Sequence, residues 1–133
     1  MPCCRVIMSC DVARHFCRRF CRPVRGPCRN TEFIAINQDY QATPGDAVAA
    51  CAGSSDDVWA RKLSTGETAV AITNFGDSTA DITICFDALG WKGPGARVRD
   101  VWKTSDLGTF QGKFTAKAVA SHDTVLVKLS PTA

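Results

Sequence analysis

Apolar and polar residues alternate along residues 66–87, GETAVAITNFGDSTADITICFD. Ala69, Ala71 and Thr73 fall on one side of an extended chain, and Val70 and Ile72 fall on the other. Further on, Ile82, Ile84 and Phe86 share a face opposite Asp81, Thr83 and Cys85. A period of two is the signature of a half-buried strand. The interval Asn74-Phe75-Gly76-Asp77-Ser78 supplies residue types that reverse a chain through positive φ or side-chain-to-backbone bonds. The pattern predicts two strands joined as an antiparallel hairpin in the middle of an all-β domain.

The same reading extends in both directions. Residues 5–10 carry the compact apolar run Val6-Ile7-Met8 of a short buried strand. Val12, Phe16 and Phe20 then recur at helical spacing behind a capping Asp11, until Pro23 ends the pattern. Phe33, Ile34 and Ile36 call for burial, and Asn37-Gln38-Asp39 suits a turn. Residues 41–55 read as a loop with at most one short strand, at 47–51. Residues 58–63 form a strand that Ser64-Thr65-Gly66 reverses. Residues 87–91 suggest a helical turn, 96–102 a strand, and 104–108 a loop leading to Phe110 and a turn at Gln111-Gly112. Phe114, Ala116 and Ala118 alternate with Thr115, Lys117 and Val119 in the next strand. Ser121-His122-Asp123 turns the chain into a last strand at 124–129, and Pro131 terminates pairing. Closely spaced short strands with turn signals between them imply two antiparallel sheets packed face to face, a Greek-key type β-sandwich. No repeat period is visible, and helix-length patterns are missing beyond Gly66, which disfavours a doubly wound or barrel fold.

Composition divides the chain. The net charge of +3 over 133 residues sums two unlike parts: seven Arg against Asp11 in residues 1–29, and nine basic against twelve acidic residues thereafter. Six of the eight cysteines also lie in the first part. This shift marks a boundary near Arg29, and the organisation predicted is a segment 1–45 followed by a sandwich domain 46–133. No apolar run is long enough to span a bilayer. Arg5 and Asp11 interrupt any signal-peptide pattern. Cysteine usage leaves the compartment open, as it does the pairing of Cys51 with Cys85.

Several residues could carry chemistry. His15, Cys17, Cys21 and Cys28 offer four soft ligands, enough for a tetrahedral zinc ion, but without paired C-x2-C spacing; oxidised or disordered thiols are the preferred reading. The arginine run could meet phosphates, yet no base-stacking platform accompanies it. Ser121, His122 and Asp123 are three triad residue types, but sequence neighbours rarely meet triad geometry; a hairpin turn accounts for them. Trp59, Trp91 and Trp102 could stack on sugar rings, although tryptophans more often fill a core or an interdomain contact.

The segments VIMSCDVA (6–13), NTEFIAINQD (30–39), VWARKL (58–63), the strand 69–75, RDVW (99–102) and SHDTVLVKLSP (121–131) together resemble the C-terminal end of the melibiase-type α-galactosidases, retaining glycoside hydrolases of family 27. The most specific parts are NTEFIAINQD and SHDTVLVKL. In that family a (β/α)8 barrel precedes an antiparallel β-sandwich. The resemblance implies that residues 6–11 match the last barrel strand, 33–39 the end of the last barrel helix, and 46–129 the sandwich. Residues 14–29 depart from the family's amphipathic helix, and we read them, as a hypothesis, as translated in another frame; an uninterrupted in-frame transcript would remove that idea. Retaining hydrolysis needs two carboxylates roughly 5 Å apart, and a barrel takes about 250 residues. The family's catalytic aspartates lie on strands with no counterpart here, so the resemblance assigns no catalytic, cofactor-binding or metal residue, and Asp11 reads as a cap. It implies a truncated, non-catalytic accessory sandwich whose partner is the barrel, with self-association through the barrel-facing surface and no nucleic-acid or membrane partner. A free-standing carbohydrate-binding module is the alternative, and an Arg/Cys-rich metal or nucleic-acid binder stands behind it. Family members are often secreted, vacuolar or lysosomal.

Overall fold

A computed structural model describes residues 29–41, 43–51, 58–91 and 93–132. They fall into two compact units, one ending at Asn37 and one beginning at Gln38. The strand expected at 5–10 and the helix expected after Asp11 lie outside the described residues.

In the first unit, helix α1 (Thr31–Asn37) starts because Asn30 caps it. The Asn30 Oδ1 accepts the amides of Glu32 and Phe33, each at 3.0 Å, satisfying donors that have no partner in a first helical turn. Phe33, Ile34 and Ile36 are half-buried, and no residue of α1 is fully buried.

The second unit holds eight strands: β1 (Asp46–Ala47), β2 (Val58–Lys62), β3 (Thr68–Thr73), β4 (Ala80–Cys85), β5 (Ala96–Asp100), β6 (Ser105–Phe110), β7 (Lys113–Val119) and β8 (Thr124–Pro131). A larger sheet runs β1-β2-β3-β8-β5-β6, and a smaller one pairs β4 with β7. All pairings are antiparallel. The two-sheet sandwich expected from the alternation is therefore present, with β8 lodged between strands distant in sequence. Val58, Val70, Ile72, Val98, Val127 and Leu129 of the larger sheet are buried together with Ile82, Ile84, Phe114, Ala116 and Val119 of the smaller one. Phe86 and Leu89, on the 3-10 turn Phe86–Leu89, join the same core. Each of the Val, Ile, Leu and Phe side chains among them contributes about 1.5–3 kcal/mol when fully buried.

The hairpin expected over residues 66–87 is corrected. β3 pairs with β2 and β8, while β4 pairs with β7 in the other sheet. The faces were read rightly, since Val70, Ile72, Ile82 and Ile84 are all buried. Alternation specifies which side of a strand is apolar, but it is the same whether two strands lie side by side or face one another across a core. Asn74 decides the matter. It is buried at 4% exposure, and its Nδ2 donates to Ser78 O at 2.8 Å and Val119 O at 2.9 Å, while its Oδ1 accepts from Gly76 N at 2.9 Å. Its backbone N–H donates to Asp123 O, and its carbonyl accepts from His122 N. One residue thus ties the arch from β3 to β4 onto the link from β7 to β8.

Three other expectations change. Residues 105–108, read as loop, belong to β6, an edge strand with no buried residue and hence no alternation to detect. Ala118 does not share the face of Phe114 and Ala116. The ladder shifts register between Ala80 and Ile82, Ala118 takes φ 51°, and Val119 turns inward at 2% exposure. The Asp81 carboxylate holds this bulge through Ala118 N at 2.8 Å and Lys117 Nζ at 2.9 Å. Finally, the short strand expected at 47–51 is Asp46–Ala47. Beyond it, Cys51 donates its amide to Thr83 O at 2.9 Å and forms a disulfide with Cys85, the Cα atoms 5.7 Å apart.

Candidate functional site

The outward face of the larger sheet collects most of the unusual side chains. Directly paired residues in an antiparallel ladder point to the same side, so each row can be read from the register. One row runs Trp59, Ala71, Leu126, and Trp102 lies beside it, its indole Nε1 donating to Thr124 O at 3.2 Å. Trp59 remains 48% exposed and Trp102 40%. The next row runs Arg61, Ala69, Lys128, Arg99, and beyond it Ser130 pairs with Arg97, itself opposite Thr109. One half of the face is apolar and the other is charged.

The charged half holds three groups of paired side chains. Asp106 receives Arg97, and Arg99 Nη1 at 3.4 Å. Glu67 accepts from Ser130 Oγ at 2.6 Å and Thr65 Oγ1 at 3.0 Å, and pairs with Lys128 Nζ at 3.4 Å. Arg61 reaches Asp39 O at 3.3 Å, and the Asp39 carboxylate accepts from the Ser64 hydroxyl at 2.6 Å. Burial raises the Glu67 pKa, but Ser130, Thr65 and Lys128 outweigh it and hold the carboxyl below its ordinary range. The Arg97 guanidinium lowers Asp106, with Arg99 adding to it against a smaller desolvation effect. The Ser64 hydroxyl lowers Asp39. These are carboxylates kept ionised as acceptors.

Glu67 and Asp106 line one shallow cleft of about 380 Å³ with Arg97, Arg99 and Lys128. A glycosidase acid must hold a proton near neutrality, which requires a raised pKa. Both carboxyls here are shifted the other way. A second open cleft, of about 420 Å³, lies among Gln41, Asp46, Val48, Lys62 and Leu89.

The residues singled out in the sequence do not converge. Ser121, His122 and Asp123 occupy the turn before β8, with Ser121 Oγ on His122 Nδ1 at 2.7 Å and the Asp123 carboxylate on its neighbour's amide, Thr124 N. That turn joins strands of different sheets and is not a hairpin. Trp91 packs against the core, 6.4 Å from Phe86, and donates to Gly95 O, so the three tryptophans form no common surface. Asp11, His15, Cys17, Cys21 and Cys28 lie outside the described residues. Among the described residues no three His, Cys, Asp or Glu side chains gather as a metal ion requires, and no helix is long and apolar enough to cross a membrane. The charged rows were not singled out from the sequence, although the spacing of Arg97 and Arg99 two apart in a strand is the signal that places both on one face.

Comparison with known proteins closes the question of kinship. Residues 53–129 match the family described as the α-galactosidase C-terminal β-sandwich domain. The chain belongs to this family. It is 36% identical over 103 residues to an α-galactosidase of Coffea arabica, covering 77% of this chain and 26% of that protein. The crystal structure of α-galactosidase I from Mortierella vinacea superposes with a TM-score of 0.67 at 28% identity, over 80% of this chain and 28% of that one. An isomalto-dextranase of Arthrobacter globiformis, crystallised with panose, superposes at 0.63 with 29% identity, over 78% and 18%. The chain thus spans about a quarter or less of the length of the curated relatives it matches. The kinship expected from NTEFIAINQD and SHDTVLVKLSP holds.

Proposed function

We propose that this α-galactosidase-type sandwich is a non-catalytic accessory domain that packs on a catalytic (β/α)8 barrel and stabilises it, residues 1–45 being the remnant of that barrel. The observation that carries the reading is the outward face of the larger sheet: Trp59 and Trp102 stay substantially exposed beside Leu126, next to a charged half where Arg61, Arg97, Arg99 and Lys128 meet Asp39, Glu67 and Asp106. An apolar patch with a charged rim is the composition of an interdomain contact, and a rim carrying both signs sets the register of such a contact. Catalysis is assigned to no residue of this chain, and the substrate is set elsewhere, since the same sandwich accompanies an isomalto-dextranase.

The test adds the purified chain in trans to a barrel prepared from the coffee relative without its own sandwich. The expected result is a higher barrel melting temperature, reduced by Trp59→Ala, and no turnover of a chromogenic α-galactoside by the chain alone. Turnover by the homogeneous chain, or an unchanged barrel, sinks the proposal. Two indoles on one sheet face also support a second reading, a carbohydrate-binding surface; calorimetric heat with millimolar galactose or raffinose, lost in Trp59→Ala, would favour it.

A further inference from the structure

The second inference concerns residues 46–51 and stands apart from the accessory reading. This segment crosses from the edge of one sheet to the edge of the other. At its start, Asp46 and Ala47 pair with Ala60 and Trp59 of β2, and Val48 N donates to Val58 O at 2.9 Å. At its end, Cys51 N donates to Thr83 O on β4, and Cys51 is disulfide-bonded to Cys85 on the same strand. Between these anchors Val48 and Ala50 pack against the core. The segment is a strap across the open side of the sandwich.

Its non-covalent hold is slight. β1 has two residues, both exposed; Val48 is buried, Ala50 half-buried and Cys51 exposed. By contrast β3 and β8 pair along six positions and carry Val70, Ile72, Val127 and Leu129 at zero exposure. Local opening free energies follow such differences in burial and bonding. The disulfide is the one covalent tie of this strap to β4 among the described residues, and of its two residues Cys51 is exposed and Cys85 half-buried.

We propose that the Cys51–Cys85 bond is a redox latch: oxidised, it fastens the strap over the sandwich edge; reduced by a dithiol, it frees the strap while both sheets stay folded. A thiolate of the dithiol attacks Cys51 Sγ, forming a mixed disulfide and breaking the Cys51–Cys85 bond. Cys85 leaves as a thiolate and takes up a proton. The second thiol then attacks the mixed disulfide, releases Cys51 as a thiol and leaves the reductant as a disulfide, so two electrons and two protons pass to the protein. Freed of Cys51, β4 presents an unpaired edge near Thr83, the kind of edge that invites association with another strand. The latch is closed where disulfides persist and opens in a thiol-reducing compartment.

The test is amide hydrogen exchange on the full chain, with and without dithiothreitol, and on Cys51→Ser/Cys85→Ser without reductant. Exchange at Val48 and at position 51 should accelerate by about tenfold or more on reduction, and to the same degree at Val48 in the double variant, while the β3 and β8 amides keep their protection. The double variant separates the latch from the six cysteines of residues 1–29. Unchanged strap exchange overturns the proposal. So does loss of β3 and β8 protection in the same proportion, or failure of the double variant to fold, since the bond would then hold the whole sandwich. A non-reducing peptide map showing Cys51 and Cys85 as thiols, or joined to other cysteines, overturns it as well.

Discussion

Replacing Asn74 tests whether one buried amide sets the sandwich topology. Asn74→Ala would leave Ser78 O, Val119 O and Gly76 N without the partners they have at 2.8–2.9 Å. Val119 is buried, whereas Ser78 and Gly76 lie at the exposed tip of the arch, where water can reach them. An unsatisfied buried polar group costs about 1–3 kcal/mol, and a group that regains water costs much less. The expected loss is therefore roughly 2–4 kcal/mol, most of it from Val119 O and from the slackened arch. For a domain near 100 residues each kcal/mol lowers the melting temperature by about 4–8 °C, so the fall should be roughly 8 °C or more. Asn74→Asp sharpens the test, because it keeps the shape and the acceptor but turns the donor into a second oxygen facing two carbonyls. Such a carboxyl is held protonated in the folded state, its pKa raised above the unfolded value. Its cost therefore grows as pH rises above the ordinary carboxylate range. Urea unfolding followed by circular dichroism, with the exposed Asp77→Ala as control, measures both variants. A loss below about 0.5 kcal/mol for Asn74→Ala, the ordinary range of a surface change, would refute the argument.

Further expectations follow from single contacts. In Gly95→Ala the new Cβ would stand 2.7 Å from Phe110 O; because backbone must move, thermal melts should show a loss of about 1–3 kcal/mol. Gly66→Ala meets no atom within 4 Å but sits at φ +83°, so its cost should stay near 1–2 kcal/mol, the penalty of a left-handed residue. Asp39, Glu67, Asp81 and Asp106 all titrate lower folded than unfolded, held down chiefly by Ser64, by Ser130, by the Ala118 amide and by Arg97, with Arg61, Lys128, Lys117 and Arg99 adding to the effect. Ionised carboxylates therefore favour the fold. The stabilisation is complete above the ordinary values of 3.8 and 4.5 and disappears as pH falls through the lowered ones. Urea midpoints should decline from pH 6 to pH 3, and a constant or rising midpoint contradicts this account.

The sequence alone determined the all-β class, the strands β2, β3, β4, β5, β7 and β8 to within a few residues, and the faces that Val70, Ile72, Ile82, Ile84 and Phe114 bury. A strand with one wet side must alternate, and alternation is a local property. It also carried the kinship, through NTEFIAINQD and SHDTVLVKLSP. Ser64-Thr65-Gly66 also marked the reversal that pairs β2 with β3; the tertiary structure decided the other pairings. β3 meets β4 across the core and not edge to edge, and the arch between them is tied by Asn74 to Val119 O, 45 positions away. β6 shows no alternation because residues 106–109 are exposed on both sides, and only Phe110 at its end packs against the core. The bulge that turns Val119 inward is held by Asp81 of β4, the neighbour of β7 in the smaller sheet, so no reading of β7 by itself could place Ala118 outside. The charged rows of the outer face exist only once the register aligns Arg61, Lys128 and Arg99, and Cys51 meets Cys85 only after 34 positions of chain have folded between them. Periodicity fixes what one strand buries; partners far along the chain fix where that strand goes.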